Sequence, residues 1–236
     1  MKPRHGSLPP SIESMIKLLK LSNIVLSPKA NEQLWAYHNL LRKRNDDRDL
    51  TRITGFEPMV IKHYIDCMIV GDFVRLPSPI VDIGTGAGFP GIPLKIRYPN
   101  LKITLAEPRP RRVEFLKEVI RELGLKDIEV FDHKVTSRSF QKPVVAVVTR
   151  ALEEVEKTLA RTQGCLGVGG KFILLKGPNV GPELQDAEKR FPGMFKVLEN
   201  KQYRLPKIGH ERRLVILEKL KEVSIDGSLE QEDRPL

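Results

Sequence analysis

The chain has 236 residues, 40 Lys+Arg against 30 Asp+Glu for a formal charge of +10, and 40% hydrophobic but only 6% aromatic residues. That length supports one full-sized α/β domain with a smaller appendage, and the basic balance makes a polyanion a natural partner. Cys67 and Cys165 stand far apart with no CxxC pair, which excludes a disulfide framework; no run of about 18 apolar residues suggests a membrane span, and no Cys/His pattern suggests a metal site.

In chain order, residues 1–10 carry three prolines and a glycine and read as a flexible leader without the apolar core of a secretory signal, so a cytoplasmic location is expected. A helical region is expected over residues 11–72. Its first helix is capped by Ser11 and places Ile12, Met15, Ile16 and Leu19 on one face. A second follows Pro28 with Ala30, Leu34, Tyr37 and Leu41, and is expected to end in the charged run "RKRNDDRDLTRITG". A third starts near Pro58 and is expected to stop at Gly71.

From residue 73 to 222 a sheet domain is expected. Short apolar runs, "PIVDIG", "KITLAE", "IEVFDH", "VVAVVTRA" and "KFILLKG", alternate with amphipathic stretches, which is the signature of βαβ units in a parallel sheet. One such stretch, "RRVEFLKEVIREL", carries Val113, Leu116, Ile120 and Leu123 on one stripe and ends before Gly124. The last two strands, "MFKVLENKQYRL" and "RRLVILEKL", are joined by too short a segment for a helical crossover and should pair antiparallel. Residues 223–236 read as a flexible acidic tail.

The segment "VDIGTGAGFPGIPL" lies between the first strand of the sheet domain and a helix, at a carboxyl strand end where open α/β sheets bind ligands. Gly86, Gly88 and Gly91 satisfy GxGxxG, which alone would also suit a dinucleotide; Asp82, two residues before Gly84, and prolines at 90 and 93 argue against that reading. "DIGTG" instead resembles the loop of S-adenosylmethionine-dependent methyltransferases. Glycine lets the backbone turn sharply and approach a ligand, and the N–H groups opening the following helix would attract the methionine carboxylate. Asp82 could hold the ammonium or organise the loop. Glu107, ending the next strand about twenty residues downstream, could accept both ribose hydroxyls.

"DLTRIT" and "KHYIDCM" before the loop, with "RRVEFL", "TRA", "LKG" and "ERRLVIL" after it, extend the match, and the chain resembles the ribosomal small-subunit methyltransferase G family from about Asp49 to Leu217. The resemblance implies a class I methyltransferase fold, a seven-stranded sheet with the last strand antiparallel, and methylation of guanine N7 in 16S ribosomal RNA by S-adenosylmethionine. It further implies that Gly84 and Phe89 line the cofactor, that Gly86 and Gly88 make the turn, that Glu107 takes the ribose, and that Val135 and Thr136 frame the adenine. Arg150 matches a cofactor-binding arginine, and Lys176 lies near the expected reaction mouth. Both would act by positioning and electrostatics, since guanine N7 loses no proton on attack and needs no general base. The chain departs from the family pattern at Lys134-Val135-Thr136, where Arg-x-Glu is usual, at Val145, where an Asp is common, and at Arg44-Asn45, where an aromatic-Asn pair is usual.

His63 and Asp66, three apart on a helix, read as a hydrogen-bonded pair joining the helical region to the sheet. Arg44 and Arg48, with Arg109, Arg111 and Arg112 at the opening of the next helix, are candidate phosphate contacts, and Phe89 and Tyr203 are candidate base-stacking surfaces. The expected partner is 16S ribosomal RNA or the small ribosomal subunit, without membrane or metal, and the expected assembly is a monomer. Another RNA or a protein substrate, or a non-catalytic RNA-binding module on the same fold, are the alternatives.

Overall fold

In the computed structural model residues 8–222 are described; the acidic tail expected at 223–236 and the first seven residues of the expected leader lie outside the described residues. Seven strands form one sheet in the order β3-β2-β1-β4-β5-β7-β6. β1 (Ile80–Ile83), β2 (Ile103–Ala106), β3 (Ile128–Phe131), β4 (Val144–Arg150) and β5 (Leu166–Lys176) pair in parallel. β7 (Glu211–Lys219) inserts between β5 and β6 (Phe195–Arg204), antiparallel to both, as the short last connection requires.

Successive strand residues face opposite sides. Ile80, Ile103, Leu105, Val148, Ile173 and Ile216 enter one apolar cluster, while Val81, Ile83, Val147, Phe172, Leu174 and Val215 enter the other. The first is covered by the N-terminal helices together with α6 (Gly91–Arg97) and α7 (Pro110–Glu122), the second by α8 (Val155–Thr162) and α9 (Gly181–Arg190). Gly124, with φ 60°, ends α7 in the left-handed conformation, and Leu125 N–H returns to Ile120 C=O at 3.0 Å.

α1 (Ile12–Lys20) is capped by the Ser11 hydroxyl, which accepts from Ser14 N–H at 3.1 Å, and buries Met15, Leu18 and Leu19. α2 (Pro28–Arg48) buries all four expected apolar positions, Ala30, Leu34, Tyr37 and Leu41. It ends inside the charged run, as expected. It continues through Arg48, because Arg44 and Arg48, one turn apart, both reach Glu118 on α7, with Arg44 Nη2 at 2.6 Å and Arg48 Nη2 at 3.7 Å. Gly71, by contrast, does not stop its helix. The third helical segment runs from α3 (Phe56–Met59) through a π-helical stretch, Val60–Ile65, into α4 (Asp66–Met68) and α5 (Val70–Phe73), and Gly71 lies inside α5 because a Cβ there would collide with Tyr98. The helices and the sheet share one core, and Tyr37 Oη donates to Ala87 C=O at 2.6 Å, tying α2 to the loop after β1.

Candidate functional site

At the carboxyl end of β1 the chain turns through Gly84, Gly86 and Gly88, whose φ angles of 72°, 61° and 106° are reserved in practice for glycine. A Cβ at Gly84 would strike Leu152, whereas one at Gly86 would meet only Arg112 Nη1, at 3.7 Å. Beneath the loop Asp82 is fully buried, and its Oδ2 accepts from Thr85 Oγ1 at 2.6 Å and from Gly91 N–H at 2.7 Å. Burial pushes its carboxyl up to about 7 against the opposing effect of those two bonds. Its Oδ1 is buried with no hydrogen-bond partner among the described residues.

Glu107, also buried, braces the other side of the turn: Oε2 accepts from Gly86 N–H and Oε1 from Arg109 N–H, both at 3.0 Å. Each oxygen keeps a second lone pair free to accept another donor. One expectation is overturned here. The first turn of α6 is not an anion site, because Gly91 N–H is committed to Asp82, Ile92 N–H to Gly88 C=O, and Phe89 N–H to Thr85 C=O.

A cavity of about 200 Å³ opens beside the loop, walled by Gly84, Ala106, Pro108, Val135, Leu152 and Glu153 with Arg161. Gly84 and Val135 are thus brought together as expected. Thr136 is turned to Ser139, whose Oγ lies 2.8 Å from the Thr136 N–H it accepts. Leu152, Glu153 and Arg161 were not singled out from the sequence. The first two stand two and three residues after Arg150, past a carboxyl strand end, a position that could have marked them; Arg161 lies on α8, where it reads as an ordinary solvent-facing charge.

Phe89 faces the core. Its ring stacks on His63 with centroids 4.4 Å apart, meets Tyr37 and Tyr64, and is 7% exposed. Tyr203, also 7% exposed, donates its hydroxyl to Asp66 Oδ1 at 2.8 Å. Neither presents a face for a splayed base, which corrects both stacking expectations.

Arg150 lies over the Phe89 ring, its guanidinium 5.7 Å from the centroid. Nε donates to Asp66 Oδ2 at 3.0 Å, and Nη2 donates to Lys62 C=O at 2.6 Å and faces His63 Nδ1 at 3.3 Å. His63 Nε2 lies 2.8 Å from Thr51 Oγ1. His63 and Asp66 do join helices to sheet, but through Arg150 rather than through each other. Burial and the neighbouring Arg150 charge hold the His63 imidazole down at about 3, hence neutral. Lys176, only 10% exposed at its side chain, pairs with Glu183 and donates to Glu153 C=O, each at 2.6 Å. As placed, it positions the loop after β4.

The two arginine groups converge. Arg48, Arg109, Arg111 and Arg112 line an open cleft of about 440 Å³ next to the glycine loop, with Arg112 anchored on Asp49 C=O at 2.8 Å. Arg44, bidentate on Glu118, is a strut between α2 and α7 at its margin. Among the described residues no group of three or more His, Cys, Asp or Glu could hold a metal ion, and no helix is long and apolar enough to cross a membrane.

The family model described as rRNA small subunit methyltransferase G matches residues 30–216. "Ribosomal RNA small subunit methyltransferase G 2" of Syntrophobacter fumaroxidans is 44% identical over 211 residues, which are 89% of this chain but 42% of that protein. The Bdellovibrio bacteriovorus protein of the same name is 38% identical over 89% of this chain and 82% of its own length. Among solved structures, a ribosomal protein L11 methylase of Lactobacillus delbrueckii superposes with a TM-score of 0.53 at 15% identity, covering 67% of this chain and 79% of that one. A SAM-dependent O-methyltransferase of Thermotoga maritima gives 0.50 at 14% identity, covering 78% and 72%. At such identities these two speak for the fold alone.

Proposed function

The chain belongs to the rRNA small subunit methyltransferase G family, and from that premise we propose that it transfers a methyl group from S-adenosylmethionine to N7 of a guanine in 16S ribosomal RNA. The observation that carries the reading is the contact between two sites: the glycine turn braced by Glu107 meets a cleft of four arginines, with Arg112 beside Gly86.

The residues present fit the donor. The Asp82 Oδ1, without a partner among the described residues, is an acceptor for a cation such as the methionine ammonium, and at Gly84 the wall of the slot has no room for a Cβ, which would strike Leu152. Glu107 would take the ribose, Val135 would flank the adenine, and Arg150, with Lys176 behind the β4 loop, would hold the reaction end in place. S-adenosylmethionine supplies a methyl on a sulfonium whose leaving group is already made. The protein's part is then alignment in a preorganised field, which suits a site whose buried histidine is neutral and tied to Thr51. Arg48, Arg109, Arg111 and Arg112 would neutralise phosphates flanking the target base and fix its register.

The test is methyl transfer from labelled S-adenosylmethionine to small ribosomal subunits isolated from cells lacking this protein, with the product mapped by mass spectrometry. One guanine carrying label at N7 is the expected result. Label elsewhere would overturn the atom or the substrate, and binding without transfer would favour the non-catalytic module.

A further inference from the structure

We propose that Glu153 reads the purine of the methyl donor, its Oε2 accepting a hydrogen bond from the 6-amino group; this rests on the S-adenosylmethionine reading above. The cavity beside Gly84 is walled largely by Ile83, Ala106, Pro108, Val135 and Leu152, an apolar slot suited to a flat heterocycle. Its polar members are His133, Lys134 and the Glu153–Arg161 pair. Arg161 Nε donates to Glu153 Oε1 at 3.1 Å, Nη2 donates to the same oxygen, and Nη1 donates to Val135 C=O at 2.7 Å. Each guanidinium nitrogen is therefore engaged.

Glu153 Oε2, by contrast, has no hydrogen-bond partner among the described residues, and the side chain is 30% exposed. An ionised carboxylate only accepts, so its complement must be a donor. In the adjoining loop Thr136 is engaged with Ser139, and the Asp132 carboxylate lies 2.7 Å from His133 Nδ1. Glu153 is also held at both ends, its side chain by Arg161 and its carbonyl by Lys176 Nζ at 2.6 Å. That rigidity is what discrimination between closely similar ligands requires.

The experiment is calorimetric titration of the full chain with S-adenosylhomocysteine and with its 6-deamino analogue, in which hydrogen replaces the purine amino group. The wild type should prefer the amino ligand by about tenfold or more, the size expected of a bond to a charged acceptor. In Glu153→Gln the single amide oxygen is claimed by Arg161, an NH₂ faces the purine, and the preference should fall close to unity. Glu153→Ala should behave alike, with thermal unfolding of the free proteins recording any loss of fold. Equal affinities in the wild type, or an unchanged ratio in the variants, would overturn the assignment while leaving the cofactor reading intact. A wild type that bound neither ligand would overturn both.

Discussion

Arg150 and Asp66, 84 positions apart, meet through Nε and Oδ2 at 3.0 Å, and the same carboxylate takes the Tyr203 hydroxyl on its other oxygen at 2.8 Å. Arg212 Nε approaches within 3.6 Å, and the Asp66 side chain is 2% exposed. A buried charge with three partners ties α4 to β4, β6 and β7. Removing one member leaves the others buried and unpaired, so Asp66→Ala should cost about 3–5 kcal/mol in denaturant unfolding, against about 1 kcal/mol for Tyr203→Phe. Equal small losses would show that the network is dispensable.

Gly84 has φ 72° and a Cβ there would strike Leu152, so Gly84→Val should lower S-adenosylhomocysteine affinity by more than about tenfold through both strain and a filled slot. Gly177, with open space where a Cβ would stand, provides the control. Gly177→Ala should bind as the wild type does in the same calorimetric titration.

Arg109 and Arg111 line the cleft, while Arg112 adjoins Gly86 and so touches both sites. Replacing only Arg109 and Arg111 by Gln should weaken ribosomal RNA binding and reduce the log–log salt slope by about one for each phosphate that is no longer neutralised. S-adenosylhomocysteine affinity should stay within about twofold of the wild type. An unchanged salt slope would remove these two residues from the RNA surface.

Two buried groups give stability opposite pH trends. His63 is depressed to about 3, so its contribution is present above the unfolded value near 6.5 and is lost as pH falls through about 3. Asp82 is raised to about 7, so its contribution is present below about pH 4 and is lost as pH rises through about 7. His63→Gln should flatten the acid limb of urea-unfolding stability by on the order of a few kcal/mol, and Asp82→Asn should flatten the neutral limb. Unaltered profiles would mean that neither group titrates differently on folding.

The succession of strands and helices, the antiparallel last strand and the glycine turn between Asp82 and Glu107 were all legible in the chain. Their signals are local: a period of two, glycines at positive φ, a connection too short to cross over. Other features depended on partners distant in sequence. The charged end of α2 is a helix because Glu118, on α7, answers Arg44 and Arg48. Phe89 and Tyr203 turn inward because His63 and Asp66 are there to receive them. Gly71 is a seat for Tyr98 rather than a stop.

By itself, then, the sequence determined the succession of elements and the residues at the loop after β1, because backbone conformation and side-chain period are set by near neighbours. Only the tertiary structure decided which donors were already committed. It closed the α6 terminus with Asp82, engaged Arg150 with Asp66, and brought Arg48 to Arg112 and Glu153 to Val135. A hydrogen-bonding group is available to a ligand only after the fold has taken its share, and that allocation depends on distances in space.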